Sequence, residues 1–526
     1  GFWNRDYDFI SDMESRMYAK SDEIEAYLNT EGAKPYISCE YMHAMGNSLG
    51  GMELYAALEE KYAGYQGGFI WDYIDQAVYQ TKDGERRLVY GGDFDERATD
   101  YCFCTNGLVY ADRRPSPKVQ EAKQLYADIK ISVEERKVVV ENRQLFADLS
   151  GYDFILTVEK EGECVKREVL SIEAEPGERA ECAYAHGLDG TAPGEYVVTV
   201  SARLRKGTLY APAGHEVAFG QKVIENGGTV SHVERNTAGA LRVVHGDVNV
   251  GVYGDGFSAM FSRGEGGIIS LVYDGEEYIT RTPKLAFYRA LTDNDKGMGA
   301  AERDSVWLGA SLGMTFVKDS FAVCEKDGRV TVTVAYESRY PEVFRCTVRY
   351  TVDASGEVSV ETTYPGVKSE AYLPLFGMDF KLKKDQRYVT YYGLGPEENY
   401  KDRKRGARLG VFDGSAAENM ADYLIPQECG NREEVRWLKV YGEDRKGILF
   451  EADDAPFAMS VLPYSAYELE NAMHIYELPQ VNYTWVRLMA AQTGVGGDDS
   501  WGAPVHEQYR IRADQPLTLR FKIKKI

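Results

Sequence analysis

The sequence predicts a mainly β chain that opens with a short α/β part, and three patterns predict it. Between residues 22 and 128, apolar strand-like segments alternate with amphipathic helical ones. From about 130 onward the helical period disappears, and period-two segments separated by turn residues take over. Aromatic residues make up 12% of the 526, including 38 Tyr and 6 Trp, a supply that suits β packing.

The elements follow in order. Asp22-Glu-Ile-Glu-Ala-Tyr-Leu-Asn29 predicts a short helix, with Asp22 as N-cap and Glu25 three residues on. Pro35-Tyr-Ile-Ser-Cys-Glu40 predicts a short buried strand. A helix is expected over 51–63, with Met52, Leu54, Tyr55, Leu58 and Tyr62 largely on one face. Gly67-Gly-Phe-Ile-Trp-Asp72 predicts a second buried strand, and Pro117 to Asp128 another amphipathic helix. Strand alternating with helix implies parallel units. Two such units do not close a sheet, so residues 1–129 read as the end of a larger (β/α)8 barrel. Segments 137–141, 152–158 and 194–200 alternate apolar and polar residues. They predict an immunoglobulin-like sandwich over 130–225. Segments 329–334, 344–350 and 357–362 continue the style, and residues 226–526 read as one large C-terminal β-sandwich.

Charge excludes some functions. The formal net charge is −22, so no basic surface is available to release counterions from nucleic-acid phosphates or to hold an anionic membrane. A neutral substrate is not repelled, and the acidity also serves solubility. No stretch approaches the roughly 20 apolar residues that span a bilayer. The N-terminal Gly-Phe-Trp-Asn-Arg-Asp has no basic n-region or apolar h-region, so no signal peptide is expected. A leader on a longer precursor stays open. The 8 cysteines are scattered, and Cys102 and Cys104 match neither a zinc pattern nor a disulfide framework. They are expected to be reduced and mostly buried, in a cytoplasmic protein.

The densest chemistry lies in Ser38-Cys-Glu-Tyr-Met-His-Ala-Met-Gly-Asn-Ser48. Glu40 ends a buried strand, at the rim where parallel barrels carry catalytic groups. The competing reading is a carboxylate bonded to backbone N–H groups or paired with an Arg. His43 follows three residues later. Trp71 and Asp72 end the next strand on the same rim, where Trp71 offers either a platform for a sugar ring or a piece of core. Tyr18 precedes the first helix and is placed to hydrogen-bond a carboxylate.

Cys39-Glu-Tyr-Met-His-Ala-Met-Gly-Asn-Ser-Leu-Gly-Gly51 resembles the nucleophile segment of the long bacterial β-galactosidases of glycoside hydrolase family 2. The likeness continues through Gln66–Gln76, Tyr90–Phe94 and Phe103–Val109. It resumes at Thr292–Asp295, Gly393–Tyr400, Pro426–Arg432 and Gly494–Trp501. The resemblance implies a retaining glycosidase acting on terminal β-D-galactosides such as lactose, with Glu40 as nucleophile. It implies that Tyr18 hydrogen-bonds Glu40, that His43 binds galactosyl hydroxyls, and that Trp71 floors the pocket. It implies sodium ligands at the Phe103 carbonyl and the Asn106 side chain, with Asp100 near the same loop, and an aglycone platform at Trp485.

One part is missing. Retaining glycosidases use two carboxylates about 5–5.5 Å apart. In the family the second lies in an Asn-Glu dipeptide, and this chain has none. The family's magnesium ligands and third sodium ligand also fall outside it. The expected partners are therefore the β-galactoside and an N-terminal half, whether a separate subunit, a fragment or an adjoining region. An oligomer is expected, and inactivity of the chain alone, with an unpaired edge beside the Glu40 strand. The alternatives are a non-catalytic carbohydrate-binding or structural β-sandwich protein, and a family-2 glycosidase of different sugar preference.

Overall fold

A computed structural model describes residues 9–188, 192–227 and 240–526. Helix α1 (Ser21–Leu28), strand β1 (Tyr36–Tyr41), helix α2 (Met52–Lys61), strand β2 (Tyr65–Ile70) and helix α3 (Lys118–Leu125) form the α/β part. β1 and β2 are parallel, with Tyr36 opposite Tyr65 and Tyr41 opposite Ile70. The helices bury Ile24, Tyr27, Met52, Tyr55, Leu58 and Ala122 against Tyr36, Tyr41 and Tyr65. The α1 start lies earlier than Asp22: Glu23 accepts from the Lys20 backbone N–H at 3.0 Å. This bond satisfies the free N–H at Lys20, ahead of the expected pair Asp22 and Glu25.

The expected bare edge of β1 needs correction. Residues 14–18 run beside it: Glu14 N–H donates to Pro35 O at 2.9 Å, Ile37 N–H to Glu14 O at 3.0 Å, and Tyr18 N–H to Glu40 O at 2.8 Å. Beyond β2, Asp72 N–H donates to Asn106 O at 2.7 Å and Val109 N–H to Tyr73 O at 3.0 Å. The bridges Glu14–Tyr36 and Ile74–Val109 are both parallel. The rim is thus an arc of four neighbouring parallel segments, with residues 14–18 at one end and 106–109, themselves paired with Pro115, at the other.

Seven strands then enclose one core. Glu216–Asn226, Gly194–Leu204, Tyr152–Lys160 and Glu163–Leu170 form one sheet, and Ile129–Val133, Lys137–Asn142 and Arg179–Ala183 the other. Val138, Val140, Leu156, Val158, Val198 and Val200 meet between them, alternate residues of each strand pointing inward. The C-terminal part is a larger sandwich around a core of its own, in which Val332, Val334, Val348, Tyr350, Phe380, Phe450 and Phe521 pack. Its last strand, Leu517–Lys525, inserts between Val358–Tyr364 and Gly447–Ala452, so the chain end closes the sheet. The fold class is the one expected: mainly β, with two sandwiches after the end of a barrel. No helix of the described residues is long and apolar enough to cross a membrane.

All eight cysteines are free, but they are not mostly buried. Cys346 and Cys429 are, whereas Cys39, Cys164 and Cys324 are exposed. The exposed ones lie on strands with an open face, where alternation turns every second side chain outward.

Candidate active site

β1 delivers Glu40 half-buried to its carboxyl end. The Tyr18 hydroxyl faces the Glu40 carboxylate, and burial first, then Glu40, Asp499 and Asp72, holds the phenol well above its ordinary pKa. Tyr18 therefore stays a donor. Among the described residues Glu40 enters no salt bridge with Lys, Arg or His, so none of them supports the Arg-paired reading.

The loop after β1 carries His43, which is 3% exposed. Burial is the main force pulling its pKa down to about 4, so the imidazole is neutral near pH 7. Its Nδ1 lies 2.8 Å from Ser500 Oγ, and Asn106 Nδ2 lies 3.5 Å from its Nε2. Ser500 donates in turn to Asn294 Oδ1 at 2.8 Å. The Trp501 ring meets Tyr18 at 4.7 Å and His43 at 5.1 Å, both edge-on. Phe103 lies 6.1 Å from His43 between ring centroids. Trp71 follows β2, is 40% exposed, and is tied to the same loop: its N–H donates to Tyr41 O at 3.1 Å and its carbonyl accepts from Ala44 N–H at 2.7 Å.

The loop is clamped by α3 and by the C-terminal sandwich. Lys118, 2% exposed, donates to the carbonyls of Ala44 at 2.5 Å and Gly46 at 2.9 Å. Asn47 Nδ2 donates to Tyr400 Oη at 2.9 Å and Glu428 O at 2.7 Å, and its N–H to Gln427 Oε1 at 3.1 Å. Arg403, in a fully buried pair with Glu398 at 2.7 Å, donates to Ser48 O at 2.5 Å. The segments 292–295, 393–400, 426–432 and 494–501, hundreds of residues away in sequence, thus converge on one loop.

Glu40, Tyr18, His43, Phe103 and Asn106 come together, with Trp71 beside them. Two expected site residues do not join them. Trp485 sits mid-strand opposite Lys381, whose ammonium lies 5.0 Å from its ring. The tryptophan that the C-terminal sandwich brings to Tyr18 is Trp501. Asp100 is exposed, and its carbonyl accepts the Phe103 N–H at 3.2 Å. The residues sequence reasoning missed are Asn294, Ser500 and Trp501, all inside motifs whose pattern stood out but whose partners lie far off in the chain. In the 103–106 turn, Asn106 Nδ2 donates to Phe103 O at 2.9 Å, while Asn106 Oδ1 is buried with no partner. No cluster of three His, Cys, Asp or Glu side chains suited to a metal occurs among the described residues.

Among the described residues, a carboxylate without a salt-bridge partner, faced by a phenol and near aromatic rings, stands at the ends of parallel strands, where barrel folds carry their sites. Three family descriptions match in chain order: glycosyl hydrolases family 2, TIM barrel domain, over residues 3–131; β-galactosidase, domain 4, over 138–225; and β-galactosidase small chain over 253–523. A β-galactosidase of Halalkalibacterium halodurans is 46% identical over 530 residues, covering 100% of this chain and 52% of that protein. One of Bifidobacterium adolescentis is 44% identical, covering 99% and 51%, and one of Streptococcus thermophilus 41%, covering 99% and 52%. The chain belongs to the β-galactosidases of glycoside hydrolase family 2, and it spans about half the length of these relatives.

Proposed function

We propose that this chain supplies the nucleophile side of a retaining β-galactosidase active site, in the cytoplasm. The observation that carries the reading is the state of Glu40: half-buried, faced by the Tyr18 hydroxyl and in no salt bridge with the described residues. Glu40 attacks the anomeric carbon of a terminal β-D-galactoside such as lactose. The bond from that carbon to the aglycone oxygen breaks, and the oxygen takes a proton from a second carboxylate. The galactosyl ester on Glu40 is then cleaved by water, which gives its proton to that same carboxylate. An N-terminal half supplies this group about 5–5.5 Å away and completes the arc of parallel segments into a barrel.

Tyr18 holds the attacking oxygen in place through its hydroxyl. The neutral His43 imidazole binds sugar hydroxyls, and Trp71 and Trp501 offer apolar faces to the ring. A sodium ion suits the 103–106 turn, because Asn106 Oδ1 is an orphaned buried acceptor beside the Phe103 carbonyl and hard cations take oxygen ligands. When bound, the ion orients a sugar hydroxyl. Magnesium belongs to residues outside this chain.

The test combines the chain with the N-terminal half and a 2-deoxy-2-fluorogalactosyl inhibitor. Mass spectrometry of the digested protein is expected to find the sugar on Glu40, with none in Glu40→Gln. Hydrolysis that proceeds with the label on another residue would sink the reading.

A further inference from the structure

The C-terminal sandwich touches Tyr18 through one loop, Gly494–Trp501, and that loop is gripped from the barrel side at Asp498. Asp498 is buried, 4% exposed. Its Oδ1 receives the Tyr55 hydroxyl at 3.1 Å, and its two oxygens lie 3.2 and 3.1 Å from His506 Nε2. Tyr55 belongs to α2, and its hydroxyl also stands 3.3 Å from the carbonyl of Ala19, the neighbour of Tyr18. One carboxylate therefore faces both walls of the pocket: the Tyr18 backbone through Tyr55, and the Trp501 loop through its own backbone.

The surroundings fix the same geometry. The Asp402 carboxylate accepts the N–H groups of Val495 at 3.0 Å and Gly496 at 2.8 Å, and Gly50 N–H donates to Gly496 O at 2.8 Å. Gly51, at φ 84°, leaves room for the imidazole: a Cβ there would lie 3.0 Å from His506 Cδ2. The charged groups facing His506 are Asp498, Asp402 and, from α1, Asp22. All are carboxylates, and each favours the imidazolium.

We propose that Asp498 and His506 are positioning residues: their ion pair holds Trp501 against Tyr18 and His43 and so sets the width of the pocket mouth. The pair is made by charge and geometry together. Asp498 raises the His506 pKa above its ordinary 6.5, chiefly through their hydrogen bond. Below that raised pKa the pair is ionic and the loop is closed on the barrel. As pH climbs through it, the cation is lost and the grip on Asp498 weakens. The role proposed for Trp501 rests on the sugar-site reading above, but the placement of its ring does not.

The experiment follows Trp501 directly in the whole chain. Acrylamide quenching is measured between pH 5 and 9, and the same measurement on Trp501→Phe is subtracted to isolate one indole among six. The wild type is expected to show a step to greater quenching as pH rises above 6.5. His506→Gln is expected to lose the step and stay at the high-pH level throughout, and His506→Asn serves if that variant does not fold. A flat wild-type profile, or a step that survives in the variant, overturns the proposal. Because no sugar is present, failure of the galactosidase reading leaves this outcome untouched.

Discussion

The Trp501 indole, carried by the C-terminal sandwich, meets the Tyr18 ring edge-on with centroids 4.7 Å apart. The Tyr18 hydroxyl also faces Glu40, so a residue 461 positions downstream of the carboxylate stands beside its neighbour. Sandwich and barrel piece thus meet at Tyr18.

Glu40→Gln keeps the size of the side chain and its bond from Tyr18 while removing the nucleophile. In the enzyme assembled with its N-terminal half, kcat is expected to fall on the order of 10³-fold or more. The unfolding midpoint should barely move, since no ion pair is broken. A variant with near wild-type turnover would refute the role.

Tyr18→Phe removes a hydrogen bond to a charged group, a contribution of about 1.5–3 kcal/mol. Steady-state kinetics should show kcat reduced roughly 10- to 100-fold. The Trp501 and His43 edge contacts survive in the Phe ring, so KM is expected to change less than kcat.

Trp501→Ala and Trp485→Ala separate the two tryptophans. Losing the Trp501 edge contacts is expected to raise KM for lactose roughly two- to ten-fold. Trp485→Ala should leave KM unchanged and lower only stability, because Trp485 packs beside Lys381 within its sheet.

Lys118→Met leaves the Ala44 and Gly46 carbonyls without their donor. Two buried acceptors lose a bond, and an unsatisfied group costs about 1–3 kcal/mol. Urea denaturation should show the loss, and fluorosugar labelling of Glu40 should slow as the His43 loop loosens.

Glu121 gives a pH signature. Burial is the main cause of its pKa rising to about 7, with one oxygen accepting the Gly406 N–H at 2.8 Å and the other unpartnered. Its folded pKa lies above its unfolded value of 4.5, so the folded state binds the extra proton. The contribution of Glu121 to stability is fully present below pH 4.5 and is lost as pH rises through about 7. Glu121→Gln is expected to flatten that decline and to be the more stable protein at pH 8, by up to about 3 kcal/mol. Thermal melts at pH 5 and 8 read both effects.

Strands such as Arg329–Ser338 were legible because alternation carries its own period. The observed burial, with Val330, Val332 and Val334 inward, repeats what the sequence displays. The Glu40 strand was legible for a similar reason, and the family motifs named its neighbours. The run beside β1 at residues 14–18 was not. It makes isolated backbone bonds and lacks an apolar run, so its pairing with Pro35 and Glu40 leaves no pattern. Asp22 as a cap failed because Ser, Asp and Glu crowd positions 21–25, and several placements satisfy the same rule.

By itself the sequence determined the mainly β class and singled out Glu40 as the candidate carboxylate, since these depend on local period and on short motifs. The tertiary structure decided which distant residues reach that carboxylate. Trp501 rather than Trp485 stands at the pocket because a loop pinned by Asp402 and Asp498 crosses onto the barrel, whereas Trp485 lies inside a strand held by its sheet. Contacts between residues hundreds of positions apart depend on packing in three dimensions, and one-dimensional periodicity carries no record of them.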